Sequence, residues 1–153
     1  MKQVRRWLSV FMILLFLSGL TAIPIQEELS FLLKRFNDPS IIHFWLEKVL
    51  IAYAEVQSNH LFLLYGYDWL AFAHFILVIL FIGPCINPQK NIRVIEFVMI
   101  ACCLVIPFAL IAGHFRTIPF YWQLIDCSFG IFGFILLWIC HIKILHIINY
   151  KKQ

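Results

Sequence analysis

Charged residues are scarce in this chain. Asp, Glu, Lys and Arg make up 13% of its 153 residues, against about 25% in an ordinary soluble domain. Hydrophobic residues make up 63% of the chain, which is more than the interior of a small soluble domain can bury. The composition therefore excludes an ordinary soluble fold and predicts a protein whose surface mostly faces lipid.

Recognisable catalytic motifs are also missing. The sequence contains no nucleophile elbow, phosphate-binding loop, HExxH motif or pair of catalytic carboxylates. Its five cysteines form no CxxC pair, and they lie in or beside apolar segments. This pattern disfavours thiol oxidoreductases and indicates cysteines that pack as small apolar residues. Whether the protein is an enzyme stays open, with the balance against it.

Four apolar stretches approach the roughly 20 residues that a helix needs to cross a bilayer. The sequence therefore predicts an all-α fold, a four-helix transmembrane bundle forming a single membrane domain over residues 1–153. The predicted spans cover residues 7–25, 66–84, 94–113 and 120–142. The first span has a competing interpretation, a signal peptide cleaved after Leu20-Thr21-Ala22. Continuation of the apolar run through Ile25 favours a retained anchor.

Residues 26–65 are the least apolar part of the chain, and we expect them to form an extracytoplasmic amphipathic helical segment between spans 1 and 2. Asp38-Pro39 has the residue types that begin a helix. Apolar residues then recur at steps of three and four, which predicts one apolar helix face: Ile42, Trp45, Leu46, Val49, Leu50, Tyr53 and Val56. Such a helix would lie on the membrane surface or cap the bundle.

The basic residues are unevenly distributed between the predicted sides of the membrane. One side holds eight, namely Lys2, Arg5, Arg6, Lys90, Arg93, Lys143, Lys151 and Lys152, and the other side holds four, namely Lys34, Arg35, Lys48 and Arg116. The positive-inside rule then predicts that both termini are cytoplasmic. The basic residues form no patch with interleaved aromatics, so we expect no nucleic-acid partner. Glu96 follows Arg93 by three residues, a spacing that predicts an ion pair on one helix.

Ionisable groups inside a bilayer are costly and call for a reason. Five polar residues map to the outer half of the predicted bundle: Asp68, His74, His114, Arg116 and Asp126. Asp126 and His74 lie at similar depth and could pair, and Asp68 could pair with Arg116. The cluster could form a pocket for a head group, a quinone or a small solute. The alternative is that these side chains only hydrogen-bond between helices.

No metal or other cofactor is predicted. A zinc site needs three or four converging ligands at recognisable spacing, and no two of His74, His114 and Asp126 share a helix face. A haem site in a membrane four-helix protein needs two histidines at matching depth. His74 has no such partner, and we expect His141 and His146 to extend toward the cytoplasmic head groups beside Lys143.

Three stretches carry a resemblance to a known group of proteins. They are Ser18-Gly19-Leu20-Thr21-Ala22-Ile23-Pro24, Asp68-Trp69-Leu70-Ala71-Phe72-Ala73-His74-Phe75, and Ile118-Pro119-Phe120-Tyr121-Trp122 continuing to Asp126-Cys127-Ser128-Phe129-Gly130. They resemble small uncharacterised four-span membrane proteins of bacteria. The resemblance implies the same topology and a place in the bacterial inner (plasma) membrane. It implies no activity.

These features predict an integral membrane protein that serves as a binding or accessory subunit of an inner-membrane assembly. Its expected partners are the lipid bilayer and either another membrane protein or a second copy of the chain. One alternative is a small proton-coupled transporter that uses Asp126 and His74. The other is a membrane enzyme that acts on a lipid or quinone in the outer polar pocket.

Overall fold

The computed structural model describes residues 2–36 and 40–150. These residues form helices and contain no β-strand, so the all-α prediction is confirmed. The helices are α1 (Lys2–Thr21), α2 (Ile25–Arg35), α3 (Ile41–Asn59), α4 (Tyr65–Leu80), α5 (Ile82–Ile86), α6 (Ile92–Phe115) and α7 (Phe120–Tyr150), with a 3₁₀ turn at Leu61–Leu64.

Four stretches of the described chain are long and apolar enough to cross a membrane. They are Lys2–Thr21, Leu61–Ile86, Ile92–Phe115 and Phe120–Tyr150. Large apolar side chains on them, such as Phe108 and Phe132, are exposed in the isolated chain, as expected for surfaces that meet lipid. The chain is therefore a multi-pass membrane protein with a helical segment between its first two spans, as the sequence predicts.

The ends of the spanning helices differ from the predicted ends. Helix α1 stops at Thr21, four residues before the predicted end of the first span. Pro24 explains this, since proline disfavours helical backbone at the residue before it. Helix α7 runs on to Tyr150, eight residues past the predicted end, and Ile144 in this extension is buried in the core of the first unit.

The chain divides into two compact units, which are described separately. The first contains residues 2–13 and 79–150 of the described chain, and the second contains residues 14–78. In the first unit, helices α6 and α7 pack closely. A methyl group added at Gly130 of α7 would lie 2.6 Å from the backbone oxygen of Cys102 of α6. Buried apolar side chains complete this unit's core: Val4, Leu8, Phe81, Ile95, Leu137 and Ile144.

A tight turn joins α6 to α7. The Thr117 N–H donates to the His114 carbonyl at 3.2 Å, and the Ile118 N–H donates to the Gly113 carbonyl at 2.9 Å. This pair of bonds is a Schellman motif, which ends a helix by placing one residue in the left-handed region. That residue is Thr117, with φ of 56°, where glycine would be usual.

The side chain of Gln123 holds the same turn from α7. It is buried, and its Nε2–H donates to the Ile118 carbonyl at 2.7 Å. A methyl group added at Gly113 would lie 2.6 Å from the Gln123 side chain. The absence of a side chain at Gly113 therefore makes room for the amide that satisfies the loop carbonyl.

In the second unit, the end of α1 packs against α4. The Phe16 and Phe75 ring centroids lie 5.4 Å apart. A methyl group added at Gly19 would lie 2.7 Å from the His74 Cβ and 3.3 Å from the Ala71 carbonyl oxygen. Small residues allow this kind of close approach between membrane helices.

Helices α2 and α3 also lie in the second unit and pack on each other. A ring nitrogen of His43, Nδ1, is 2.7 Å from the Phe36 carbonyl oxygen, which ties the start of α3 to the end of α2. The Ser40 hydroxyl caps α3 by accepting the His43 N–H at 3.2 Å. The helix start predicted at Asp38-Pro39 lies outside the described residues.

Candidate functional site

Two of the predicted site residues, Asp68 and His74, lie on α4 in the second unit. Asp68 is in the first turn of α4 and is exposed. His74 is half-buried, with Nδ1 2.7 Å from the Leu70 carbonyl oxygen one turn earlier. Its Cβ faces Gly19. In this position His74 contributes to the α1–α4 contact, and its Nδ1 is engaged with the backbone of its own helix.

The other three predicted residues lie in the first unit. His114 is exposed in the last turn of α6, where its ring meets that of Phe115 edge-on at 5.9 Å. Arg116 caps the same helix, and its side chain is exposed. Asp126 lies in α7 and is half-buried. Among the described residues, no hydrogen bond or ion pair joins any two of these three.

The two predicted pairs each combine residues of different units, so Asp126–His74 and Asp68–Arg116 stay predictions. Within the second unit, no hydrogen bond links Asp68 to His74 among the residues that the structure describes. What the structure adds is that no described residue of the first unit forms a hydrogen bond or ion pair with the Asp126 carboxyl. A carboxyl group in that position within a span is costly.

A polar site that the sequence prediction missed lies between α6 and α7. The Glu96 carboxylate is 3.1 Å from His141 Nε2 and 3.0 Å from Arg93 Nη1. The Arg93–Glu96 pair confirms the spacing prediction. The partnership with His141 was not predicted, because His141 was expected to extend toward the head groups. Residues 96 and 141 are too far apart in the sequence for helix periodicity to relate them.

The members of this site differ in exposure. The His141 side chain is 16% exposed and that of Glu96 is 32% exposed, while that of Arg93 is 90% exposed. The Trp138 ring stacks on the His141 ring at 6.3 Å and on the Phe134 ring at 5.7 Å. The arrangement can hold one imidazole against one carboxylate, and Arg93 balances the carboxylate charge from the solvent side. It can therefore bind or pass a proton.

Polar side chains hold the loop between α5 and α6. The Asn91 Nδ2–H donates to the Gly83 carbonyl at 3.1 Å and to the Asn87 carbonyl at 2.9 Å. The Arg5 guanidinium donates to the Ile86 carbonyl at 2.6 Å. These bonds satisfy the backbone at the end of α5 and fix the loop that precedes Arg93 and Glu96.

The five cysteines are free thiols. Cys127 and Cys140 are buried, and their thiols approach backbone carbonyls of Ile106 and Val4 at 3.8 and 3.9 Å. The Cys85 thiol donates to the Met12 sulfur at 3.2 Å. Within the described chain, no group of three His, Cys, Asp or Glu residues is arranged to hold a metal ion.

An open depression of about 380 Å³ lies on α2. Gln26, Glu27, Ser30, Phe31 and Lys34 line it, all from one helix, so it does not enclose a ligand as a binding cleft does. Elsewhere on α2, burial raises the pKa of the Glu28 carboxyl. Neither feature involves a predicted site residue.

Comparison of the chain with protein-family models, curated proteins and solved structures finds no match.

Proposed function

We propose that this protein is a binding or accessory subunit of a larger inner-membrane assembly and that its partner is another membrane protein or a second copy of the chain. The Asp126 carboxyl carries the proposal. It lies within a span, is half-buried, and has no hydrogen-bonding or ionic partner among the described residues of its own unit.

A partner helix would lower the cost of placing Asp126 in the membrane. Ionisable side chains within spans pair with one another, with backbone groups or with a water-filled path. Asp126 is one turn beyond Gln123, whose amide is already engaged with the Ile118 carbonyl. Because the described part of the first unit supplies no donor, a donor from a neighbouring protein would stabilise the carboxyl.

The test is co-purification with Asp126→Asn as the variant. The amide keeps the shape of the carboxyl and removes its charge, so folding should survive while partner binding weakens. Glu47→Gln is the matched control, since Glu47 is exposed on α3 outside the spans. We expect mild-detergent pulldowns to recover the partner, or a dimer, with wild type and Glu47→Gln but not with Asp126→Asn. Equal recovery with all three would contradict the role of Asp126. A wild-type chain that stays monomeric and alone would contradict the function.

We further propose that the protein resides in the bacterial inner membrane with both termini in the cytoplasm. The uneven distribution of lysine and arginine supports this orientation. The helical segment that contains α2 and α3 then lies on the outer side. The resemblance to small four-span bacterial membrane proteins supports the same assignment.

A second candidate function, a proton-coupled carrier, is favoured by the Glu96–His141 contact. In such a carrier the Glu96–His141 pair would be the proton-carrying site in place of the Asp126–His74 pair. Glu96 and His141 lie on two packed spans, and the carboxylate oxygen of Glu96 is 3.1 Å from His141 Nε2. Proteoliposomes under a pH gradient test it. Proton-coupled solute flux that Glu96→Gln abolishes and Arg93→Gln preserves would support a carrier, whereas flux that Glu96→Gln leaves unchanged would exclude this site.

A further inference from the structure

Helix α3 has a buried apolar face and, on the opposite side, two exposed apolar residues, with the exposed Glu55 one turn beyond them. The face predicted from the sequence packs into the second unit, where Leu46 is 1% exposed. On the opposite face, Phe44 and Ile51 are 61% and 62% exposed. They lie seven positions apart and therefore on one stripe of the helix. We define this outer stripe by Phe44, Lys48 and Ile51.

The position of α3 is fixed relative to the start of the second span. The Tyr53 and Tyr67 rings lie edge-on, with centroids 6.4 Å apart. In one continuous helix these two residues, fourteen positions apart, would be separated by about 21 Å along the axis. The chain therefore turns back at residues 60–64, and Tyr53 lies at the depth of Tyr67, which belongs to the spanning stretch Leu61–Ile86.

The α2–α3 segment is joined at each end to a candidate membrane span by only a few residues. Helix α1 ends its span at Thr21, and α2 begins at Ile25. At the other end, α3 stops at Asn59 and the next span starts at Leu61. The first residues of that span, Leu61, Phe62 and Leu63, are exposed and apolar. The lipid-facing surface thus continues to within two residues of α3.

The charged residue of the outer stripe is Lys48, whose side chain is long enough to reach the head groups. Lys48 lies between Phe44 and Ile51, and its ammonium is 5.8 Å from the centroid of the Trp45 ring. Lysine can lay its methylene chain along an apolar surface while its ammonium stays in water. Tryptophan and tyrosine are likewise the aromatic residues that prefer the head-group level.

We propose that the outer stripe of α3 docks into the interfacial layer of the bilayer, between the head groups and the acyl chains. Helix α3 is then a membrane-surface helix with its inner face on the protein and its outer stripe in lipid. The occupant is lipid. Basic and acidic residues both occur on α2 and α3, so apolar insertion drives the contact and anionic lipid is not required. This inference uses residues other than Asp126 and does not depend on the proposed function.

Spin labels test the docking in the full chain. The five native cysteines are replaced by alanine, and single cysteines are introduced as Phe44→Cys, Ile51→Cys or Gln57→Cys. Gln57 is exposed and lies on the opposite side of α3, so it serves as the matched control. Each variant is reconstituted into phosphatidylcholine vesicles, and circular dichroism verifies its helix content. Collision of the label with oxygen and with a water-soluble nickel chelate is then measured.

We expect the ratio of oxygen to nickel accessibility to be several-fold higher at positions 44 and 51 than at position 57. High nickel accessibility at all three positions would place the stripe in water and overturn the proposal. Low accessibility to both reagents at 44 and 51 would place the stripe against protein, and it would overturn the proposal equally.

A second readout avoids the cysteine replacements. A photoreactive benzoylphenylalanine takes the place of Phe44 in the otherwise native chain, and the vesicles are illuminated. A product heavier by one phospholipid supports docking on lipid. A crosslink to a second copy of the chain or to another protein, without the lipid product, would overturn it.

Discussion

Thr117 occupies a backbone conformation that suits it poorly. Its φ of 56° lies in the left-handed region, which costs a residue with a Cβ roughly 1–2 kcal/mol. The penalty is tolerated because the Schellman bonds and the Gln123 amide determine the turn from both sides. The backbone conformation of Thr117 is thus determined by its surroundings and not by its own preference.

Replacing Thr117 with glycine should stabilise the protein. Relief of strain outweighs the roughly 0.5–1 kcal/mol that glycine loses in conformational entropy, so we expect a net gain of up to about 1 kcal/mol. Thermal unfolding in detergent measures it as a rise in Tm. Thr117→Ala keeps the strain and removes the hydroxyl, so it should give no rise. An equal rise for both variants would show that the side chain, and not the backbone, is responsible.

The Glu96–His141 contact should be energetically coupled, and more strongly than the Arg93–Glu96 contact. Hydrogen bonds between membrane helices contribute about 0.6 kcal/mol on average and up to about 1.7 kcal/mol. A pair with one side chain 90% exposed contributes little. Double-mutant cycles of Glu96→Gln with His141→Gln, and of Glu96→Gln with Arg93→Gln, measure both couplings through unfolding in detergent. A larger coupling for Arg93 would contradict the ranking.

At the scale of elements, the close contact of α6 with α7 depends on a missing side chain. A methyl group at Gly130 would approach the backbone oxygen of Cys102 at 2.6 Å, and a backbone atom in a helix cannot move away as a flexible side chain can. A Cβ at residue 130 should therefore push the two helices apart or tilt them. Gly66 in α4 has open space around it and provides the comparison.

Gly130→Ala should destabilise the chain by about 1–3 kcal/mol, the usual cost of overpacking. Gly66→Ala should leave stability unchanged or raise it by less than the roughly 0.8–1.0 kcal/mol that alanine gains over glycine in a helix interior, because Gly66 lies in the first turn of α4. Unfolding of both variants in the same detergent gives the comparison. If Gly130→Ala were as stable as Gly66→Ala, close α6–α7 packing at this position would be refuted.

Sequence periodicity predicted which segments are helices, but it predicted less well where the helices end and which residues lie on the face opposite the buried one. The inner face of α3 was predictable because Leu46 and its neighbours recur at helical spacing. The outer stripe was not, since Phe44 and Ile51 flank Lys48 and do not form a continuous apolar run. The end of α1 depended on the local effect of Pro24, which a count of apolar residues does not include.

At the scale of the whole molecule, composition and charge predicted the membrane class and the four spanning stretches. They did not predict the polar contacts. The Arg93–Glu96 pair follows from spacing along one helix, but Glu96–His141 depends on how α6 packs on α7, which no local pattern encodes. Asp126 was recognised from its cost in lipid alone, and that physical argument still carries the proposed function.

The last prediction concerns the orientation of the whole chain. The N-terminus, the 85–93 loop and the chain after Ile142 carry eight basic residues, and residues 26–65 and the 114–121 loop carry four. Basic residues near span ends are retained in the cytoplasm. Alkaline phosphatase, which is active only outside the cytoplasm, should therefore be inactive when fused after residue 150 and active when fused after Asn59. Green fluorescent protein should show the reverse pattern. Phosphatase activity at residue 150 would show either an inverted chain or an odd number of spans, and activity at both positions would indicate the latter.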